Sequence, residues 1–432
     1  DKIAEELTES GYTPLEKPEK AELVIINSCT VTGTAASKSR KSLNRFLNRN
    51  PGAIVIFAGC YAADLKEKIE TGSFTISPPD NNSTPYEIYT GRKETLSQYI
   101  AGKFKSSQKK LSVKPHFQEH IRPFIKIQDG CDNSCTYCKV CLVRGPSISF
   151  PQEIILDDIR NTIIKKNPPE IVLTGINIGV YDYNGLTLAG LLKEIIELIE
   201  TISKEKQELT GNNTEKEEKK ILSPLTTENI YPKIRLSSIE PQSFSDELIL
   251  IIKHPLIQPH FHIPLQSGSD RILKIMKRKY TRNQYLTVLR KIREVKKDTG
   301  IGTDIITGFP GETEEDVKET MRVMEELDHF HIFPFSPMEG TKAYTMKKLT
   351  ERIIFDRKKQ LIEHGKKINF SFRKKFLNKT LDCVRVDKRS VLTGNYINVE
   401  LPETGEEQVH NSNKTELVRI IKVLKDRTLG NF

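Results

Sequence analysis

The 432-residue chain has few cysteines and no long apolar run, and each absence excludes a class of protein. Seven cysteines in so long a chain are too few for the disulfide framework of small secreted domains. No stretch approaches the about 18 consecutive apolar residues of a membrane-spanning helix, so we expect no membrane association. No signal-peptide pattern opens the sequence, and because its first residue is Asp1 we expect the natural chain to begin earlier. We therefore expect a reducing, cytoplasmic compartment.

The charge balance favours a polyanionic partner. The formal net charge is +10, and residues 349–379 carry ten Lys or Arg against three acidic residues in a mostly helical pattern. Such a segment is as compatible with a solvated helix face as with a nucleic-acid contact. The lysines that we expect to contact nucleic acid are Lys358, Lys359, Lys366, Lys374 and Lys375.

Residues 1–105 alternate predicted helix and strand. Two apolar strands, "AELVIINSC" and "AIVIFAGC", flank a basic helix and end in Cys29 and Cys60. A strand–helix–strand unit implies parallel strands, so both cysteines should lie at one edge of a sheet, where open α/β sheets bind ligands. The alternative is two small buried core thiols.

Between residues 124 and 337 a second pattern recurs. Six apolar segments each end in polar residues or glycine and are separated by amphipathic stretches, which predicts a six-stranded parallel (β/α) barrel with its site at the carboxyl ends of the strands. The segments are "FIKIQDG", "EIVLTGIN", "KIRLSSIE", "HFHIPLQSG", "GTDIITGFPG" and "FHIFPFSP".

Two other segments differ from this rhythm. Residues 202–229 are charged and poor in aromatics, which predicts a flexible insertion. From about residue 380 the chain alternates short β segments and turns, which suggests a small antiparallel barrel in which Cys383 is structural.

Four of the seven cysteines lie within eleven residues, in "CDNSCTYCKVC". Disulfides, a zinc site and an iron–sulfur cluster all use closely spaced thiols, but structural zinc usually takes two ligand pairs separated by a longer loop. Cys131, Cys135 and Cys138, with gaps of three and two residues, fit a [4Fe–4S] cluster whose fourth iron stays open. An open iron can chelate S-adenosylmethionine, and an electron from the cluster then cleaves it to a 5′-deoxyadenosyl radical.

At these residues the sequence resembles the radical-SAM methylthiotransferases. Cys131, Cys135 and Cys138 match the radical-SAM triad, and the flanks "FIKIQDGCDNSCTYC" and "RGPSIS" match this family in particular. The resemblance implies an α/β protein with four parts. They are an N-terminal methylthiotransferase domain (1–105), a partial (β/α)6 radical-SAM barrel (118–350), a basic linker helix (351–379) and an RNA-binding, TRAM-like β-barrel (380–432).

The resemblance also implies a second [4Fe–4S] cluster in the N-terminal domain. Cys29 and Cys60 match two of its three ligands, and the third is expected before Asp1. Two residues depart from the family pattern, Cys141 where proline is usual and Met338 where arginine is common. We expect Cys141 not to be a ligand, and Met338 to alter a substrate or cofactor contact. The residues that we expect to contact S-adenosylmethionine are Tyr137, Thr174, Gly175, Asn177, Ser238, Glu240, Gln266, Asp304 and Gly308.

Three motifs look most like the branch that acts on N6-threonylcarbamoyladenosine-37 of tRNA: "NSCTVTGTAASKSR", "KIQDGCDNSCTYC" and "EIVLTGINIGVYD". This implies a monomeric transferase that contacts the tRNA anticodon loop and receives electrons from a donor such as a flavodoxin or ferredoxin. The alternatives are a methylthiotransferase for isopentenyladenosine-37 or for a ribosomal protein, and a zinc-stabilised RNA-binding protein without catalysis.

Overall fold

The computed structural model describes residues 2–13, 21–28, 33–49, 53–72, 86–91, 95–104, 122–211, 232–402 and 415–432. The chain forms two compact units. The first comprises Asp1–His120, Tyr137–Gly145 and Ser336–Thr345, and the second comprises Ile121–Thr136, Pro146–Phe335 and Met346–Phe432. Within the described ranges, no helix has both the length and the apolar character needed to cross a membrane.

The first unit is built around a parallel sheet. Its elements are α1 (Lys2–Glu9), β1 (Leu23–Ser28), α2 (Gly33–Arg49), β2 (Ile54–Gly59), α3 (Ala62–Glu70), β3 (Tyr86–Ile88), α4 (Leu96–Lys103) and α5 (Val140–Arg144). The strand order in the sheet is β1–β2–β3. Strand β2 alternates its side chains between two cores: Val55 and Phe57 pack under α2 and α3, whereas Ile56 packs against α1 and α4.

The second unit contains the six parallel strands expected from the sequence, each followed by helix or loop. Its elements are β4 (Phe124–Lys126), β5 (Gln128–Asp129), β6 (Ile148–Ser149), α6 (Gln152–Lys166), β7 (Glu170–Thr174), β8 (Asp182–Tyr183), β9 (Leu186–Thr187), α7 (Leu188–Gly211), β10 (Lys233–Leu236), α8 (Asp246–Ile251), β11 (His260–His262), α9 (Asp270–Ile275), α10 (Arg282–Val295), β12 (Gly300–Thr307), α11 (Glu314–Met324), β13 (His329–Pro334) and α12 (Glu351–Lys374).

These strands form a partial barrel from two three-stranded parallel sheets, β10–β7–β4 and β11–β12–β13. Backbone hydrogen bonds join the sheets: Ile239 N–H donates to His262 O over 3.0 Å, and Gln258 N–H donates to Ile234 O over 2.8 Å. The predicted (β/α)6 barrel is therefore confirmed. One detail of the prediction is wrong, because α7 continues through residues 202–211 of the expected flexible insertion. Its lysines and glutamates are good helix formers, and Ile202 and Ser203 are buried. Residues 212–231 lie outside the described ranges.

The C-terminal segment forms the small β-barrel expected from its sequence. Its strands are β14 (Thr380–Asp387), β15 (Ser390–Thr393), β16 (Asn398–Glu400), β17 (Glu416–Val423) and β18 (Thr428–Asn431). They close in the order β14–β15–β16–β18–β17, and their core also contains Phe372 of α12 and Phe376 just beyond it. Cys383 is buried in that core, and burial raises the pKa of its thiol to about 12, which fits a structural role.

A turn of the C-terminal barrel closes the amino end of the radical-SAM barrel. Arg235 on β10 pairs in a bidentate way with Glu170 on β7, at 2.8 Å for both bonds, and donates to Gly394 O over 3.1 Å. Gln258 donates to the second Glu170 oxygen over 2.8 Å. The Tyr396 ring stacks on His260 at 4.1 Å between centroids. This end is therefore covered, and its charges are paired.

Candidate active site

The cysteine loop begins at the carboxyl end of the first barrel strands and is fixed there by one buried side chain. Gln128 donates through Nε2 to Asp129 O and Gly130 O, both at 2.8 Å, and to Ser147 Oγ at 2.9 Å. Its Oε1 accepts from the N–H groups of Ile176 and Asn177 at 3.0 and 2.9 Å. Gln128 thus ties the root of the cysteine loop to the loop after β7.

Gly175 permits this tie because it leaves space beside Gln128. A Cβ at residue 175 would lie 2.8 Å from Gln128 O and 3.0 Å from Gln128 Oε1, closer than side chains tolerate. The glycine predicted as a cofactor contact therefore has a packing role that the sequence did not reveal.

Every sulfur of the predicted triad accepts a hydrogen bond from an N–H group. Asn133 N–H points at Cys131 Sγ and Val140 N–H at Cys138 Sγ, both at 3.5 Å, and Arg278 Nη1 lies 3.4 Å from Cys135 Sγ. N–H donors at the sulfurs are a usual feature of the cysteine ligands of iron–sulfur clusters.

Arg278 was not expected from the sequence. Its side chain is only 4% exposed, forms an ion pair with Glu240 and lies 3.2 Å from the Tyr280 hydroxyl. The nearby Thr136 is anchored to the end of α9, since its N–H donates to Met276 O over 3.1 Å. The cysteine loop is thus attached to β5, β7 and the α9 region of the same barrel, although no part of its own backbone near Cys135 is helical.

The cysteine chemistry excludes one of the three initial alternatives. None of the six cysteines in the described ranges forms a disulfide, so these residues hold no disulfide framework. Cys141 lies on α5, outside the loop that carries the triad. Three cysteines close together in sequence, each with an N–H donor at its sulfur, fit a [4Fe–4S] cluster.

Polar atoms without partners mark the carboxyl ends of three barrel strands. Among the described residues, Asn177 Oδ1, Ser237 Oγ and Thr307 Oγ1 are buried and have no hydrogen-bond partner. They follow or end β7, β10 and β12, and buried polar atoms ordinarily find partners. A ligand rich in hydroxyl, amino and carboxylate groups, such as S-adenosylmethionine, would satisfy them. Asn177 was predicted; Ser237 and Thr307 were missed, although Ser238 was named beside the former.

The other predicted contacts have varied surroundings. Glu240 is engaged by Arg278, and Asp304 by His262 and His331. Gln266 adopts φ of 64° and exchanges backbone hydrogen bonds with β12. Gly308 has φ of +74°, and a Cβ there would lie 2.5 Å from Ile354 on α12.

Three further predicted residues lie near strand ends or in the first unit. Thr174 ends β7, Ser238 follows β10, and Tyr137 is partly exposed at the start of the segment Tyr137–Gly145. Met338, in the segment Ser336–Thr345, is buried and its carbonyl accepts from Thr341 Oγ1 over 2.6 Å. All of these remain predicted contacts.

In the first unit, the parallel strands place Cys60 at the expected sheet edge. Cys60 N–H donates to Ser28 O over 3.1 Å, and Ser28 directly precedes Cys29 in the sequence. Gly59 allows this close approach, because a Cβ there would lie 2.5 Å from Ser28 O. Cys60 is partly exposed, which a packed core thiol would not be. Cys29 itself lies outside the described residues.

Comparison with known proteins agrees with this geometry. The pattern of the Radical SAM superfamily matches residues 125–324, and that of the uncharacterized protein family UPF0004 matches residues 1–76. The threonylcarbamoyladenosine tRNA methylthiotransferase MtaB of Thermotoga maritima is 33% identical over 393 residues, 87% of this chain and 81% of that protein. The chain belongs to the radical-SAM methylthiotransferase family.

Other similar proteins extend the picture. The MtaB protein of Aquifex aeolicus is 32% identical over 93% of this chain and 92% of its own length. Among solved structures, the radical S-adenosylmethionine methyltransferase TsrM from Kitasatospora setae covers 75% of this chain and 66% of its own, with a TM-score of 0.47 and 14% identity. As a radical-SAM methylthiotransferase the chain is a transferase that uses S-adenosylmethionine and a [4Fe–4S] cluster.

Proposed function

We propose that this methylthiotransferase modifies C2 of N6-threonylcarbamoyladenosine at position 37 of tRNA. The observation that carries the proposal is that relatives at least 30% identical over most of the chain are named for threonylcarbamoyladenosine. Two further relatives, 29% and 32% identical, are named for dimethylallyladenosine, so that nucleoside is the second candidate.

In this proposal Cys131, Cys135 and Cys138 hold the radical-SAM cluster. When bound, the cluster supplies the electron that cleaves S-adenosylmethionine and so provides a radical able to remove the hydrogen from C2, a position that acid–base chemistry cannot easily attack. Arg278 donates to the Cys135 sulfur, and Gln128 orients the loop root. Asn177, Ser237 and Thr307 offer their unpartnered atoms to S-adenosylmethionine.

The first unit would hold a second cluster and supply the inserted sulfur. Cys29 and Cys60 would be two of its ligands. The support is the parallel register that brings Cys60 to the residue next to Cys29. Replacing Cys60 by Ala should abolish methylthiolated tRNA while 5′-deoxyadenosine release persists.

The RNA would bind along α12 and the C-terminal barrel. Four of the five lysines predicted to contact it are exposed: Lys359, Lys366, Lys374 and Lys375. The hydrophobic core that contains Phe372 and Phe376 joins α12 to the β-barrel. The helix and the barrel would therefore form one surface that contacts the phosphate backbone. A cytoplasmic flavodoxin or ferredoxin would supply electrons.

Mass spectrometry of tRNA nucleosides tests the proposal. Cells that lack the gene should lose 2-methylthio-N6-threonylcarbamoyladenosine, and the wild-type gene, but not its Cys131→Ala variant, should restore it. Loss of 2-methylthio-N6-dimethylallyladenosine instead, with the unmodified dimethylallyladenosine left in its place, would establish the second candidate. Unchanged tRNA would overturn both, and zinc in place of iron and sulfide in the purified protein would favour a non-catalytic RNA-binding protein.

A further inference from the structure

Two identical tripeptides, His-Phe-His, form the starts of strands β11 and β13 and hold four of the nine histidines of the chain. Side chains alternate along a strand, so both histidines of each tripeptide share one face. The intervening phenylalanines take the other face: Phe261 packs against Phe244, and Phe330 against Gly365 of α12. The four imidazoles therefore converge on the side away from the helices.

Strand β12, which lies between the two histidine strands, leaves space for these rings. Its residues on the same face are Gly300, Gly302 and Asp304. A Cβ at residue 300 would lie 2.9 Å from His329 Nε2, and one at residue 302 would lie 3.0 Å from His262 Nδ1. The two glycines thus admit the imidazoles, and the first larger side chain is a carboxylate.

The first histidine of each tripeptide, His260 and His329, contacts the C-terminal barrel. His260 stacks on Tyr396 with 13° between the ring planes, and His329 Nε2 lies 3.2 Å from Asn395 O. Both rings therefore pack against the C-terminal barrel in the covered end of the radical-SAM barrel, although His260 Nδ1 has no hydrogen-bond partner in the described part of the chain.

The second histidine of each tripeptide, His262 and His331, contacts Asp304. His262 Nε2 lies 3.1 Å and His331 Nδ1 3.2 Å from Asp304 Oδ1, and the two rings stack at 5.3 Å between centroids. One ligand atom from each of the three residues falls within 4.8 Å of the others. Ligands bonded to a first-row cation at about 2.0–2.1 Å are themselves about 2.9–3.4 Å apart, so the two nitrogen–oxygen distances match edges of a coordination shell.

The site is also reachable from solvent. The side chains of His262, Asp304 and His331 are 15%, 29% and 61% exposed. Buried histidine–carboxylate pairs commonly have only a structural role. Here one imidazole is exposed and lies beside a second one, so an ion from solvent can reach both rings.

We propose that His262, Asp304 and His331 bind a divalent first-row cation, separate from the iron–sulfur clusters. Two imidazoles and one carboxylate on one side of an ion are typical of Fe²⁺ and related metals and leave the remaining positions open. Those positions would take water or an oxygen of a bound molecule.

Manganese is the probe, because Mn²⁺ favours oxygen and nitrogen donors over the thiolates of the cysteine loop. The loaded enzyme is titrated anaerobically, and the loss of the aqueous Mn²⁺ EPR signal counts bound ions. We expect one Mn²⁺ per chain in the wild type and at least a tenfold weaker affinity in His331→Ala and Asp304→Asn, since even groups that only orient metal ligands contribute about 10–100-fold.

The matched controls are His254→Ala and His364→Ala, which remove histidines that each face a single carboxylate, Glu200 at 3.5 Å and Glu325 at 2.9 Å. Both should bind Mn²⁺ as the wild type does. His331→Ala removes an exposed side chain, so far-UV circular dichroism should show a folded protein even if Asp304→Asn does not fold. Equal Mn²⁺ binding by wild type and His331→Ala, or no binding by the wild type, would overturn the proposal and leave the cluster as a hydrogen-bonded triad.

Discussion

The two ends of the radical-SAM barrel are built from the same strands but differ in how their buried polar groups are paired. Among the described residues, the amino end pairs its buried charges and leaves His260 Nδ1 without a hydrogen-bond partner, whereas three strands have such an atom at the carboxyl end. At the amino end, Glu170 accepts hydrogen bonds from Arg235, Gln258 and Arg122, and its side chain is fully buried. At the carboxyl end, Asn177, Ser237 and Thr307 each keep a buried atom without a partner in the described chain. A turn of the C-terminal barrel closes the amino end, whereas the unpartnered atoms at the carboxyl end are available to a ligand.

This difference between the two ends indicates that the amino end contributes mainly to stability and the carboxyl end mainly to function. Buried polar groups without partners cost about 1–3 kcal/mol each, and a fold tolerates them where a ligand supplies the missing bonds. Changes at the carboxyl end should therefore affect chemistry more than stability, and changes at the amino end should do the reverse. The following predictions test this contrast.

The largest effect is expected for the cysteine triad. Replacing Cys131, Cys135 or Cys138 by Ala should abolish 5′-deoxyadenosine release and lower the iron count, while the midpoint of urea unfolding of the apoprotein stays close to that of the wild type. Cys141→Ala is the matched control and should retain most of the cleavage. If Cys141→Ala alone lost the radical-SAM cluster, the ligand assignment would be wrong.

At the closed end, Glu170→Ala should destabilise the protein by about 3–5 kcal/mol, because it leaves the buried Arg235 without its carboxylate. Urea unfolding measures this change. The matched control is Glu200→Ala, an exposed carboxylate beside His254, which should cost less than about 0.5 kcal/mol. Glu170→Ala that is folded should still cleave S-adenosylmethionine. Lost cleavage in a folded variant would contradict the separation of stability and chemistry between the two ends.

The pH dependence of the unfolding free energy should also show the contribution of Glu170. Burial alone would raise the pKa of Glu170, but Arg235, Arg122 and Gln258 outweigh it and hold that pKa below its ordinary value. The pair therefore stabilises the fold fully above the unfolded pKa of about 4.3, and this contribution is lost as the pH falls through the lower folded value. Glu170→Gln should show a shallower loss of unfolding free energy over that acid range.

Gln128 should give an intermediate effect at the open end. Gln128→Glu keeps the acceptor for the N–H groups of Ile176 and Asn177 but loses the donor to Asp129 O and Gly130 O. A lost buried hydrogen bond of about 1–3 kcal/mol corresponds to roughly a tenfold to hundredfold slower cleavage. Single-turnover release of 5′-deoxyadenosine measures this. Wild-type kinetics in Gln128→Glu would mean that the tie does not position the loop.

Local sequence pattern was sufficient to predict the barrel strands. Their apolar bodies and polar ends repeat at helix-length intervals, and each predicted strand is present. Register and alternation also placed Cys60 beside the end of β1. These features depend on residues close in sequence, where periodicity carries the information.

The partners of the site could not be predicted in this way. Arg278 reaches Cys135 across 143 positions of the chain, and Gln128 reaches Asn177 across 49. The two His-Phe-His tripeptides are visible in the sequence, but only the strand order shows that a glycine-bearing strand lies between them. Ser237 has a buried hydroxyl without a partner among the residues that the structure describes, whereas the residue expected from the sequence was its neighbour Ser238.

The smallest effect is expected outside both ends, on α12. Replacing Lys359, Lys366, Lys374 and Lys375 by Gln should leave unfolding free energy and S-adenosylmethionine cleavage unchanged, because these side chains are exposed. It should weaken tRNA binding and flatten its salt dependence, since each phosphate contact contributes about 0.7–0.9 to the slope of log affinity against log salt. The control replaces four exposed lysines on or next to other helices, Lys165, Lys193, Lys253 and Lys318, and should keep the wild-type slope. An equal slope in both variants would make α12 a solvated helix face and leave RNA binding to the β-barrel, whereas a flatter slope in the α12 variant alone would separate the RNA surface from both ends of the catalytic barrel.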